Sequence, residues 1–466
     1  MSKQLFMGDV YKSVLSGQTS AAMTLYVRVG GADTNDGLTV GTALLTIQAA
    51  VNLIPKSVGH AVSIDIGPGT FDGAYLSGFK RSGDSAAFSI TGDLDAPTLA
   101  SGTATGTATG GNTLLLTDAG QAWTVDNLIG HFLRVDGETR VIYDNDGTNI
   151  YVVGAFTLTT SGKTYEILEP KTIIDTEEAV EGDAGFLMKS NAIGVTLQNI
   201  EFDSIVVGVY NTDTEFGVDP TSCRFTSCTG SGLRVANAAQ GVSVTHCAAM
   251  SCAIGFNIAS NAHISSFEGC LSYGSTSYGI YLASLVGLST LGSIAVISNG
   301  DHGLYVAQGA GEGFVCDLVT STGNTGSGVR LENTNCLCVI GTGSILSSNS
   351  RYGIELDDNN TSASSEQTKL DITGNITIAS NTLGGIIAKN RSMITMSNTD
   401  GTANGGYGLR LDGGSKAIIT SATGITGTSG DTTVNTGNTI FTWAQYVDDG
   451  DILRNFETDS AIERRD

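Results

Sequence analysis

The sequence predicts an all-β solenoid, a parallel β-helix built from coils of about 24 residues, and three observations predict it. First, a glycine-led strand of the form G-h-x-h, with h apolar, recurs at Gly185, Gly208, Gly232, Gly255, Gly279, Gly303, Gly328, Gly353, Gly385 and Gly408. The steps between them are 23, 24, 23, 24, 24, 25, 25, 32 and 23 residues, and self-similarity at such a period marks a repeat architecture. Second, the repeated unit is rich in β-branched residues, Gly, Ser, Thr and Asn. It is too poor in Leu for a leucine-rich repeat and lacks the helical half of an ankyrin repeat. Third, an asparagine stands four residues before the glycine in Asn299, Asn324, Asn349, Asn381 and Asn404, the pattern of stacked amides bonding along a solenoid axis.

The elements follow in order. Residues 1–24 are polar and irregular, an N-terminal arm. Residues 25–94 hold an N-terminal cap and the first coils. Leu25–Val29 alternates as a strand, and Asn35-Asp36-Gly37 is a turn. Thr46 can N-cap a short helix whose Ile47, Ala50, Val51 and Ile54 share one face, and Pro55 stops it. Residues 95–168 break the rhythm. Hairpin signals at Asp136-Gly137 and Asp146-Gly147 mark a small β-domain inserted between early coils. Residues 169–424 carry the regular β-helix. Residues 425–466 differ in composition, and Ile440, Phe441, Trp443, Tyr446 and Ile452 are expected to cover the open last coil or to make an oligomer contact.

Asn35-Asp36-Gly37, Thr46-Ile47-Gln48-Ala49-Ala50 and Ile66-Gly67-Pro68-Gly69-Thr70-Phe71 together resemble the start of pectate-lyase-like right-handed parallel β-helix proteins, where a short helix plugs the N-terminal end. Many phage tailspikes open this way. Ala43-Leu44-Leu45 departs from the pattern, which often has a proline and an aromatic there. The W-x-V-D-x-L-x-G stretch from Trp123 is similar to insertions in phage tail proteins. The resemblance implies a homotrimeric tailspike or tail-fibre subunit, joined to the phage tail or baseplate by residues 1–24 and binding a bacterial surface polysaccharide. It is nearly silent on activity.

Composition narrows the partners. Lys plus Arg number 23 against 46 acidic residues, for a net charge of −23. Nucleic acid is disfavoured, because phosphate binding needs a basic footprint. The start of the chain has no apolar signal core, and no stretch is long and apolar enough to span a membrane. The expected location is therefore the virion, after synthesis in the host cytoplasm. Eight cysteines lie between Cys223 and Cys338. Cys223, Cys247 and Cys270 repeat with the coil, as do Cys228 and Cys252, so they should stack as buried, reduced thiols. No metal or cofactor is expected, since the ligand spacings of a zinc site are missing.

Registering the coils on the leading glycine fixes two core columns, because strands alternate faces. Position +1 reads Phe186, Val209, Leu233, Phe256, Ile280, Leu304, Val329, Ile354, Ile386 and Leu409. Position +3 reads Met188, Asn211, Val235, Ile258, Leu282, Val306, Leu331, Leu356, Ala388 and Leu411. Position +2 should face out: Tyr210, Arg234, Asn257, Tyr281, Tyr305, Arg330, Glu355, Ile387 and Arg410. Position +4 should also face out, with small alanines beside the tyrosines leaving a groove. Aromatic rings stack on sugar C–H faces, and Arg and Asn bind hydroxyls or carboxylates. Tyr210, Arg234, Asn257, Tyr281, Tyr305 and Arg330 are therefore the candidate substrate-binding residues.

Glu332, Glu355 and Asp357 gather at one end of that face as candidate catalytic residues. Glu332 and Asp357 hold one position a coil apart, about 5 Å by the ladder spacing, close to the separation that retaining glycosidases use. His246, His263 and His302 share no column and are expected as loop or surface histidines. Asp357-Asp358-Asn359-Asn360 is expected as a polar turn. Three functions compete. One is a depolymerase, acting by hydrolysis or β-elimination. The second is a non-enzymatic adhesin or structural virion protein of the same fold. The third is a free pectate-lyase-like enzyme, disfavoured by the missing export signal.

Overall fold

The computed structural model describes residues 17–442 except 238, 260, 284–286, 289, 308–313, 334–336, 359–367, 398, 420–423, 429 and 435–438. Most of the N-terminal arm therefore lies outside the described residues, as do Cys336, Asn359, Asn360, Trp443, Tyr446 and Ile452. The chain forms two compact units, residues 1–253 with 261–265, and residues 254–260 with 266–466. Both are all-β, and both are built as right-handed parallel β-helix.

The first unit has three walls. One runs through Met23–Val27, Val62–Ile66, Phe88–Thr91, Val195–Gln198 and Val218–Thr221. The second runs through Gly69–Asp72, Thr172–Thr176, Ile200–Asp203, Arg224–Thr226 and Ala248–Met250. The third runs through Ala74–Ser77, Ala184–Lys189, Val207–Thr212 and Ser231–Ala236. The helix Ile47–Leu53 begins where the Thr46 hydroxyl accepts from the Ala49 N–H, and it buries Ile47, Ala50 and Val51. This is the amphipathic helix read from the apolar spacing.

Between Phe88–Thr91 and Thr172–Thr176 the coil is interrupted by an antiparallel sheet reaching from Leu94–Asp95 to Thr164–Pro170. Asp136 and Gly137 both take left-handed φ, 50° and 83°, the conformation of a tight hairpin turn. Trp123, Leu133, Ile142, Ile150 and Tyr165 give the insertion its own core. Glu169 in its last strand joins it to the solenoid: His131 Nε2 lies 3.4 Å from Glu169, and Arg224 reaches both Glu169 and Glu201.

In the second unit one wall carries eight strands among the described residues: Ile254–Ile258, Ile280–Ala283, Leu304–Ala307, Val329–Glu332, Tyr352–Asp357, Gly384–Lys389, Tyr407–Leu411 and Gly430–Val434. Every residue of the +1 and +3 columns is buried, so the register from the leading glycines holds in both units. Each such Leu or Ile contributes about 1.5–3 kcal/mol on burial.

The asparagine column is a continuous interior chain. Asn299 Nδ2 donates to Asn324 Oδ1 at 2.9 Å, Asn324 to Asn349 at 2.9 Å, Asn349 to Asn381 at 2.9 Å and Asn381 to Asn404 at 3.1 Å. The backbone N–H of each of the first four donates to the same oxygen. The seven described cysteines are buried and unbridged. The outward expectation fails at several places. At +4, Thr212, Ala236, Ala283, Ala307 and Asp357 are buried, because the chain is already turning there. At +2, Ile387 and Glu355 are buried.

Candidate functional site

The second unit concentrates aromatic and charged groups on its eight-stranded wall. The register places Asn257, Tyr281, Tyr305, Arg330 and Glu355 as successive partners, about 4.8 Å per coil. Tyr281 and Tyr305 have ring centroids 5.4 Å apart. Two residues that the +2 column does not contain join them. Tyr278 stacks on Tyr281 at 5.4 Å with planes 20° apart and meets Tyr305 at 5.0 Å. His302 lies parallel to Tyr278 at 6.1 Å and tilted against Tyr305 at 5.4 Å. The three tyrosine rings form a half-buried aromatic platform, backed by the buried His302.

Tyr278 and His302 stand immediately before Gly279 and Gly303, a column continued by Ser327, Tyr352, Gly384 and Tyr407. The signal was in the sequence at position −1, where the chain enters the strand and the side chain still borders the outer face. His302 is corrected accordingly. It is 2% exposed, not a surface residue. The Ser327 N–H donates to its Nδ1 at 2.8 Å, so the ring proton sits on Nε2, 3.4 Å from Asp301 Oδ1. Arg330 Nη1, 3.3 Å from that nitrogen, is a second donor beside it rather than a partner. Burial keeps the imidazole below its usual range despite Asp301. It is a fixed neutral ring.

Arg330 lies with its guanidinium 5.4 Å from the Tyr305 ring centroid. Its Nη2 donates to Glu332 Oε2 at 2.8 Å, and the Tyr305 hydroxyl donates to the same oxygen at 2.6 Å. Burial first, then the Glu332 contact, pushes the Tyr305 hydroxyl well above its ordinary range, and burial raises Tyr278 and Tyr281 too. All three stay protonated at neutral pH and can donate hydrogen bonds.

Glu355 departs furthest from expectation. Its side chain is buried beneath the face. Oε2 accepts from the Ser327 hydroxyl at 2.7 Å, and Oε1 accepts from Lys389 Nζ at 2.8 Å and Arg351 Nη2 at 3.2 Å. Arg330 Nη1 is 4.0 Å away. Burial alone would raise this acid, but the Lys389 and Ser327 hydrogen bonds outweigh it and hold Glu355 below the usual carboxylate range. It is an anchor for cations, not a proton donor. Glu332 and Asp357 are register partners, but their side chains are committed differently. Glu332 takes Tyr305 and Arg330, whereas the buried Asp357 accepts from Asn390 Nδ2 at 2.7 Å.

Tyr210 and Arg234 belong to the first unit. They are register partners there, with the Arg234 guanidinium 4.8 Å over the Tyr210 ring. No helix among the described residues is long and apolar enough to cross a membrane, and those residues hold no cluster of three or more His, Cys, Asp or Glu fit for a metal.

No protein-family model and no curated protein matches this chain. Among solved structures it is similar to the A-module of mannuronan C-5 epimerase AlgE4 from Azotobacter vinelandii, at 12% identity and TM-score 0.43, covering 63% of this chain and 91% of that one. It is also similar to the tailspike gp49 of Pseudomonas phage LKA1, at 12% identity and TM-score 0.24, covering 92% and 72%. A third is the tailspike gp61 of Pseudomonas phage phi297, at 12% identity and TM-score 0.28, covering 85% and 72%. The likeness reaches no further than coiled architecture.

Proposed function

We propose that this protein is a phage tailspike that binds a bacterial surface polysaccharide on the lateral face of its second unit. The carrying observation is the platform of Tyr278, Tyr281 and Tyr305, backed by the buried His302, beside Arg330 and Glu332. Stacked rings offer flat apolar surface to sugar C–H groups, and protonated hydroxyls and a planar guanidinium at the rim select hydroxyl geometry. The N-terminal motif supports the virion role, with the arm of residues 1–24 as the tail attachment and a homotrimer as the assembly.

Cleavage is the second part of the reading. Glu332 is the carboxylate at the rim of the platform, and Asp357 is its neighbour one coil on. Glu332 and Asp357 divide the acid and the base or nucleophile roles between them. Glu355 is a positioning residue for Arg330.

Incubating the protein with a panel of capsules and lipopolysaccharides tests both parts. Binding is expected for at least one polymer. Tyr281→Ala or Tyr305→Ala should remove about 1 kcal/mol each, roughly five-fold in affinity. New reducing ends or unsaturated products should appear and vanish in Glu332→Gln. Normal binding by the tyrosine variants would make this face an inert wall. Binding without products would leave an adhesin.

A further inference from the structure

The platform passes, coil by coil, into a group of three cations. Arg330, Arg351 and Lys389 converge on Glu355, whose Oε1 is shared by Lys389 at 2.8 Å, Arg351 at 3.2 Å and Arg330 at 4.0 Å. One buried carboxylate faces three positive charges; Glu332 pairs with Arg330, and Asp357, the ladder partner of Lys389, also acts on Arg330. In a chain of net charge −23 with 23 basic residues, this is an unusual concentration. Among the described residues Arg351 and Lys389 make no ion pair except with Glu355. Their side chains remain 37% and 26% exposed, while the anchor is 1% exposed. The buried acid therefore gathers the cations without covering their outer donors. A guanidinium has five N–H donors and an ammonium three, and Arg351 and Lys389 each spend one on Glu355.

We infer that the polysaccharide recognised at this face carries a carboxylate-bearing sugar, which docks on Arg351 and Lys389 beside the tyrosine platform. The inference rests on the sugar-binding reading of that platform and names its ligand class. Glu355 lies three ladder steps from Tyr281, through Tyr305 and Arg330, a run of about 14 Å along the axis. A chain lying along the axis would stack neutral faces on Tyr281 and Tyr305 and bring an acidic residue to the cations. The planar guanidinium fork suits a carboxylate, and the ammonium adds an unoriented charge.

The test uses the full chain and matched oligosaccharides: uronate- and sialate-bearing glycans, the same glycans with carboxyls reduced to alcohols, and phosphorylated glycans. The wild type should bind at least one acidic glycan about ten-fold more tightly than its reduced form, the scale of one charge-assisted contact. That preference should shrink as salt rises from about 50 to 500 mM. In Arg351→Gln/Lys389→Gln the ratio should fall to about one, while Tyr281→Ala weakens both forms alike. Because that double variant strands Glu355, a triple variant adding Glu355→Gln is measured too, with near-ultraviolet circular dichroism confirming its fold. Equal binding of acid and reduced forms, or a preference kept in the folded triple variant, overturns the inference and leaves the platform intact. A preference for phosphorylated glycans overturns the carboxylate assignment. Absence of all glycan binding overturns the platform reading and this inference together.

Discussion

One corner of the coil is built twice with different chemistry. In the second unit the residue before each ladder asparagine is left-handed: Ser298, Gly323, Ser348, Ser380 and Ala403 have φ of 55°, 69°, 56°, 57° and 59°. In the first unit Ser227 and Ser251 have the same conformation, φ 54° each, but Cys228 and Cys252 follow them. The thiols lie against carbonyls at long range, Cys228 Sγ 3.9 Å from Phe202 O and Cys252 Sγ 3.6 Å from Phe225 O. A thiol is a weak donor, whereas an amide offers two donors and an acceptor. The backbone corner is therefore independent of the amide. The asparagine adds strong bonding between coils, and the cysteine adds packing with only weak thiol contacts.

The largest effect should come from breaking the bonded version. Asn349→Leu strands the Asn324 N–H, takes one of three acceptors from Asn324 Nδ2, and removes donors from Ser321 O and Asn381 Oδ1. At about 1–3 kcal/mol per orphaned group, unfolding in urea should show a loss of about 3–5 kcal/mol. An unchanged midpoint would mean that the ladder adds nothing to the corner.

The leading glycine comes next. A Cβ on Gly328 would sit 2.7 Å from Gly353 O and 2.8 Å from Asn349 Nδ2, and one on Gly208 would meet Gly232 O at 2.5 Å and the Phe225 ring at 2.5 Å. Both corners need glycine, one against an amide and one against a ring. Gly328→Ala should cost about 1–3 kcal/mol as overpacking. Thermal melting that left it at wild-type stability would show that the coil spacing yields more easily than the bonded corner implies.

Acid should affect both units. His246 in the first unit is depressed to about 4, by burial and then Arg140, and His302 in the second is depressed by burial. The unfolded chain binds these protons from about pH 6.5 downward and the folded chain does not. Stability should therefore fall as pH drops through 6.5 toward 4. His246→Gln should flatten part of that slope, and a slope unchanged in this variant would assign it elsewhere. The smallest effect belongs to the thiol corner. Cys252→Ala should cost only about 1 kcal/mol, by lost packing. A loss matching Asn349→Leu would erase the distinction between the two corners.

The fold was legible because repetition is redundant. Each glycine, apolar pair and asparagine is stated many times, and one period aligns them. The site was legible only where it kept to that period. Tyr281, Tyr305 and Arg330 follow from strand alternation. Tyr278 and His302 sit at position −1, outside the alternating set, and were missed as partners. The burial of Glu355 depends on Arg351, two residues before Gly353, and on Lys389 from the following coil. No rule of alternation pairs them, because the convergence is made by long side chains bending over a turn. Asp357 likewise turns inward to Asn390 at a strand end, where the faces no longer alternate.

The asparagine chain also has a direction. Asn299, Asn324, Asn349 and Asn381 each donate toward the later coil, and Asn324, Asn349, Asn381 and Asn404 each accept from the earlier one, so these side-chain amide bonds all run one way. Each rung polarises the next, and a rung removed in the middle divides the column into two shorter, weaker lines. In a structure whose coils touch only their neighbours, that makes the column a one-way seam: fraying begun at one end has to undo it a rung at a time, in order.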